Sequence, residues 1–130
     1  MKAIDTSALL TIALDEPRAS DCIEAIKAET HWIISAGTVA EALIVARRRD
    51  VGDIVEGVIG AGGVEIVPVT AASARLAADA YDRWGKGVHP AALNLGDCFA
   101  YALARERACP LLYIGDHFTR TDIVPALSAG

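Results

Sequence analysis

Apolar residues recur along this chain in two rhythms: short continuous runs and longer helical stripes. The first run, Lys2 to Ile4, stops at Asp5 and reads as a buried strand with Asp5 at its carboxyl end. Thr6 and Ser7 follow, and a helical pattern begins. Asp15, Glu16 and Pro17 form a helix-start signal. That helix runs to about Glu29, with Ile23 and Ile26 on its inner stripe and Cys22 in the core. His31 to Ile34 is a second strand. Ser35 or Thr38 opens a helix that continues to Arg49, and Asp50 and Gly52 break it. Ile54, Val55, Val58 and Ile59 mark a further amphipathic helix, ended by Gly60, Gly62 and Gly63. Glu65 to Val69 is a third strand, with Pro68 placing it at an edge or at its end. Thr70 caps a helix to about Trp84, with Leu76, Ala77 and Ala80 at helical spacing. Gly85 to Pro90 is a loop, Asn94 starts another helix, and Leu111 to Ile114 is a fourth strand. Gly115 and Asp116 turn the chain, and Ile123 with Val124 suits a short final strand.

Strands alternating with helices predict an α/β fold with a parallel sheet covered on both faces. The 130 residues suit one domain, residues 1–130, with a single core. A 53% hydrophobic and 22% charged composition excludes a disordered chain. No apolar run approaches the ~18 residues of a membrane span, and the first run serves as a strand rather than as a signal peptide. Cys22, Cys98 and Cys109 are scattered and odd in number, which fits neither a disulfide framework nor a zinc site. A reducing cytoplasm is the expected setting. The net charge of −5 argues against a protein that holds nucleic acid by bulk electrostatics. It suits a basic partner, and it leaves room for an enzyme that meets nucleic acid through a bound metal.

The candidate chemistry lies in the acids. Asp5 ends a strand, where ligands bind in open α/β sheets; it is equally placed to cap the next helix. Glu41 is either the third residue of a capping box begun by Thr38 or a second-turn carboxylate between Ala40 and Ala42. Asp97 stands three residues after Asn94, the spacing of a cap, in an unusually apolar helix start. A buried carboxylate there needs a partner. Asp116 is a turn residue or a second acid at a strand end. Four such carboxylates cannot share a pocket charged and unpaired. A hard divalent cation with oxygen ligands, Mg²⁺ or Mn²⁺, resolves the conflict.

Four stretches carry a resemblance: I-D-T-S-A-L at 4–9, A-E-A at 40–42, L-N-L-G-D-C-F-A-Y-A-L-A at 93–104 and L-L-Y-I-G-D-H-F-T-R-T-D-I at 111–123. The chain resembles the PIN-domain ribonucleases, specifically the VapC-type toxins of type II toxin–antitoxin pairs. The resemblance implies a three-layer α/β/α sandwich around a mostly parallel sheet, and Mg²⁺- or Mn²⁺-dependent hydrolysis of RNA. It carries the catalytic acids over to Asp5, Glu41, Asp97 and Asp116, with Asp5 and Asp97 as the main metal ligands. Thr6, Ser7 and Asn94 match supporting positions, and Asp122 competes with Asp116 as the fourth acid. The family's threonine two residues before the last acid is here Ile114. Arg47, Lys86 and His89 are candidate RNA contacts; Arg47 is also explained by the helix C-terminus. His117 reads as a loop or supporting residue. The implied partners are RNA, a VapB-type antitoxin that alone contacts DNA, and a second copy of the chain. The alternatives are a catalytically inactive PIN-like interaction module and a metal-dependent phosphatase, which needs a lysine near its aspartate.

Overall fold

The computed structural model of the protein describes residues 1–127, so the last three residues of the expected 1–130 domain lie outside the described residues. Four short strands, β1 (Lys2–Ile4), β2 (Trp32–Ser35), β3 (Glu65–Val67) and β4 (Leu111–Leu112), form one sheet. Their order is β3-β2-β1-β4 and every pair is parallel. The helices are α1 (Thr6–Ala13), α2 (Ala19–Ala28), α3 (Ala36–Arg48), α4 (Gly52–Ala61), α5 (Ala71–Trp84) and α6 (Leu95–Glu106).

Alternation along the strands creates the layers. Ala3, Ile33 and Leu111 join a core with Ala80 and Trp84 of α5 and Cys98 and Leu103 of α6. Their neighbours Ile4, Trp32, Ile34 and Leu112 join a second core with Leu9, Cys22, Ala42 and Val55 of α1 to α4. A parallel sheet must be covered on both faces, and strand residues of both parities are therefore apolar. The result is the expected α/β/α sandwich. Among the described residues, no helix is long and apolar enough to cross a membrane.

The chain steps from β1 to β2 to β3 in one direction, then returns to place β4 on the other side of β1. The strand order reverses between β1 and β4, which opens a crevice at their carboxyl ends. The register pairs Ile4 with Leu112, so Asp5 and the turn after β4 leave the sheet side by side. Helix α6 is buried along most of its length, Gly96 to Cys98 and Ala100 to Ala104 included, and runs from this crevice. Helix α3 approaches it closely: a Cβ on Gly37 would stand 2.6 Å from the Phe99 ring.

The differences from the pattern reading have local causes. Ile23 is not on the inner stripe; it is 37% exposed, and α2 buries Ala19 and Cys22 instead. The register of that helix is set by its start at Ala19, after the turn holding Pro17. Leu76 is also exposed, while Ala77, Ala80 and Trp84 face inward. The final strand reduces to one parallel bridge between Leu111 and Pro125, with Val124 accepting from the Leu111 amide at 2.9 Å. Glu65–Val67 and Leu111–Leu112 are shorter than their apolar runs, because pairing stops where Pro68 and the turn at Gly115 redirect the chain.

Leu9 is fully buried between α1 and the sheet. Leu9→Ala is expected to cost about 2–5 kcal/mol in denaturant unfolding. A loss below about 1 kcal/mol would mean that this core does not hold α1 against β1.

Candidate active site

The crevice is a cavity of about 440 Å³, and Asp5, Glu41, Asp97 and Asp116 all line it. Each acid is delivered by a different element. Asp5 follows β1 and is the N-cap of α1, its Oδ2 accepting from the Ser7 amide at 3.1 Å and from Ser7 Oγ at 2.6 Å. Ser7 Oγ in turn accepts the Ile114 amide at 3.0 Å, which ties the exit of β4 to the exit of β1. The side chain at Ile114 is therefore immaterial to that link, since its backbone makes it.

Glu41 stands in the second turn of α3, because Ser35 is the cap and accepts the Gly37 amide at 3.2 Å. Thr6 Oγ1 donates to Glu41 Oε1 at 2.6 Å. The carboxylate lies against the first turn of α6 at Gly96, where any Cβ would collide with it. Asp97 forms a reciprocal capping box with Asn94: Asp97 Oδ2 accepts the Asn94 amide at 3.1 Å, and Asn94 Oδ1 accepts the Asp97 amide at 2.8 Å. His117 Nδ1 is 2.9 Å from the same Asp97 Oδ2. Asp116 stands at the exposed rim.

Three acids share one design. Structural hydrogen bonds fall on one oxygen of each carboxylate: Oδ2 of Asp5, Oε1 of Glu41 and Oδ2 of Asp97. The capping and the chemical readings of Asp5 and Asp97 thus describe the same residues. The design leaves a debt at Asp5, which is 3% exposed and whose Oδ1 is buried without a hydrogen-bond partner among the described residues. Burial pushes its pKa up to about 7; the Ser7 bonds oppose that shift, and the charges of Asp97 and Glu41 add to it. An unpaired buried carboxylate oxygen facing other acids fits a hard cation, and oxygen donors alone favour Mg²⁺ or Mn²⁺. Among the described residues, no three His, Cys, Asp or Glu side chains are already gathered as a metal cage.

The other expected residues are distributed as follows. Thr6, Ser7 and Asn94 line the cavity. Asp122 stands outside it, with Oδ1 accepting the Tyr101 hydroxyl at 2.6 Å and Oδ2 near Arg83 and Arg105 at 3.8 and 3.7 Å. Arg47 and Lys86 are exposed and away from the cavity lining. His89 packs edge-on against Trp84 at 4.7 Å and accepts the Ala91 amide, a loop-closing role. Gly96 and His117 matter more than their sequence setting suggested. The glycine beside an acid in an otherwise alanine-rich helix was the available signal; for His117 only adjacency to Asp116 was.

The PIN-domain family model matches residues 2–124. The chain is 40% identical over 127 residues to ribonuclease VapC42 of Mycobacterium tuberculosis, covering 95% of this chain and 97% of that protein. Among solved structures it resembles M. tuberculosis VapC20, described as a sarcin-ricin loop cleaving toxin, with a TM-score of 0.77 at 14% identity over 95% of this chain and 97% of that one. A toxin–antitoxin complex from Klebsiella pneumoniae matches with a TM-score of 0.72 at 16% identity, covering 99% of this chain and all of that one. At those identities the two structures speak to the fold.

The raised pKa of Asp5 fixes a pH dependence. Folded and free of metal, Asp5 keeps its proton to about pH 7; unfolded, it loses it near pH ~4. Between these values the folded state binds more protons, so stability falls as pH rises. In the presence of chelator, Asp5→Asn should gain on the wild type as pH goes from 4 to 8, by at most about 4 kcal/mol. Denaturant titrations across that range check this; a stability difference independent of pH would contradict it.

Proposed function

The chain belongs to the PIN-domain family, and from that premise we propose that it is a metal-dependent endoribonuclease acting as the toxin of a toxin–antitoxin pair. The observation that carries this reading is the meeting of Asp5, Glu41, Asp97 and Asp116 in one cavity, with a buried Asp5 oxygen left unpartnered. The likeness to VapC42 supports the choice of RNA and of ribonuclease chemistry. Asp5 and Asp97 would hold the cation, Mg²⁺ or Mn²⁺, directly or through water, and it would supply charge neutralisation for the acid ring and polarisation of the phosphate. Glu41, fixed through Oε1 by Thr6, orients the attacking water with its other oxygen and takes its proton. Asp116 at the rim completes the negative field. Ser7 and Asn94 keep Asp5 and Asp97 in place.

The likeness to a toxin–antitoxin complex supports an antitoxin partner. An acidic cavity in a chain of net charge −5 suits a basic partner segment. The antitoxin, rather than this chain, contacts DNA, and the toxin pairs with a second copy of itself. The phosphatase alternative has no support here, because among the described residues no lysine lines the cavity. An inactive module is disfavoured by an acid set in which all four members reach the cavity.

Purified free of antitoxin, the protein is expected to cleave RNA with Mg²⁺ or Mn²⁺ and to stop when chelator is added. Asp97→Asn should lose most turnover while remaining folded. Asp122→Asn should stay active, with stability within about 1 kcal/mol of the wild type, because its charge pairs lie at a partly exposed surface. Cleavage that persists after exhaustive chelation, or a fully active Asp97→Asn protein, would overturn the assignment.

A further inference from the structure

Among the described residues, His117 is the one titratable side chain in the cavity lining that is not a carboxylate. It carries no step of the proposed hydrolysis. The segment around it is nonetheless built to hold it. Phe118 is buried and packs 5.2 Å from the Tyr113 ring, anchoring the loop immediately after His117. A 3₁₀ turn, Phe118–Arg120, follows, and Thr119 Oγ1 donates to the Asp116 carbonyl at 2.6 Å. These contacts fix the loop on either side of the histidine.

Its imidazole Nδ1 lies 2.9 Å from Asp97 Oδ2. A carboxylate oxygen only accepts, so Nδ1 carries the hydrogen in this bond. The same oxygen also accepts the Asn94 amide at 3.1 Å. Both bonds fall on Oδ2, which fixes the rotation of the carboxyl group and leaves Oδ1 outside both of them. Asn94 reaches Asp97 from the backbone before α6, and His117 reaches it from across the cavity, from the loop after β4.

We propose that His117 is a positioning residue of the cation site, clamping the Asp97 carboxylate through Nδ1–H so that its other oxygen faces the cation. The inference rests on the reading of the cavity as a divalent-cation site. Outer partners that orient metal-binding groups are worth about 10- to 100-fold in affinity, and a clamp on Asp97 belongs to that range. The side chain is 55% exposed, so its replacement leaves the fold standing.

The test is calorimetric titration of Mn²⁺ into the full chain, free of antitoxin and RNA, with thermal melting of each variant as a check of folding. His117→Ala and His117→Phe both remove the N–H donor, the second while keeping a ring; each should weaken Mn²⁺ binding about 10- to 100-fold. His117→Asn puts an amide N–H near the place of Nδ1 and should restore most of the affinity. Wild-type affinity in the alanine and phenylalanine variants would overturn the clamp and leave the cation site intact. An asparagine variant as weak as alanine would also overturn it, since the N–H would not be what matters. A wild-type chain that binds no Mn²⁺ would remove the cation site and the clamp together.

Discussion

The constraint on which this structure turns is the crowding of carboxylates at the reversal of strand order between β1 and β4. The fold places a buried aspartate at the end of a fully covered strand, and there one oxygen has no hydrogen-bond partner among the described residues. A charge left there is costly, and the protein answers in part by holding the proton to about pH 7. Glu41 and Asp97 line the same cavity, and their charges push the Asp5 pKa further up. Under the proposed function, a divalent cation held there would convert this unfavourable arrangement into a favourable one, at a local cost in stability without it.

The rest of the architecture serves the approach of α3 and α6. Small residues let the two helices come together at Gly37, against Phe99, and at Gly96, against Glu41. The first contact holds the start of α3 against α6, and the second sets the glutamate against the residue before Asp97. Hydrogen bonds within and between elements then fix each carboxylate by one oxygen: Ser7 and the Ile114 amide around Asp5, Thr6 on Glu41, Asn94 on Asp97. Away from the site, Tyr101 links Trp84 to Asp122 across α5, α6 and the C-terminal segment, through bonds of 2.9 and 2.6 Å. Burial and then the Asp122 bond push the Tyr101 hydroxyl upward in pKa, so it stays a donor.

Much of this was legible in the chain because it depends on near neighbours. Asp5 after an apolar run, and Asn94 three residues before Asp97, announce strand end and cap by spacing alone. Glu41 was ambiguous because two caps, Ser35 and Thr38, were available to α3; the bond from the Gly37 amide to Ser35 decides it. Convergence was not legible. Nothing local says that Thr6 bonds Glu41, that Gly96 makes room for it, or that His117 rather than Asp122 meets the acids. Asp122 resembled a site acid in sequence, but Arg83, Arg105 and Tyr101, all distant along the chain, claim it. The apolar pattern points the wrong way where small residues take the inner face from a larger one, as at Ile23 and Leu76.

The central claim is that a cation takes the place of the proton on Asp5. The most direct measurement is proton release on Mg²⁺ or Mn²⁺ binding, followed from pH 6 to pH 9 in weakly buffered solution. The account predicts release of about one proton per chain near pH 6, vanishing well above pH 7, as metal binding displaces a proton from a ligand. That release should be absent in Asp5→Asn. Saturable binding near pH 6 with no proton released would contradict the account, for the cation would then be held without discharging the buried carboxyl.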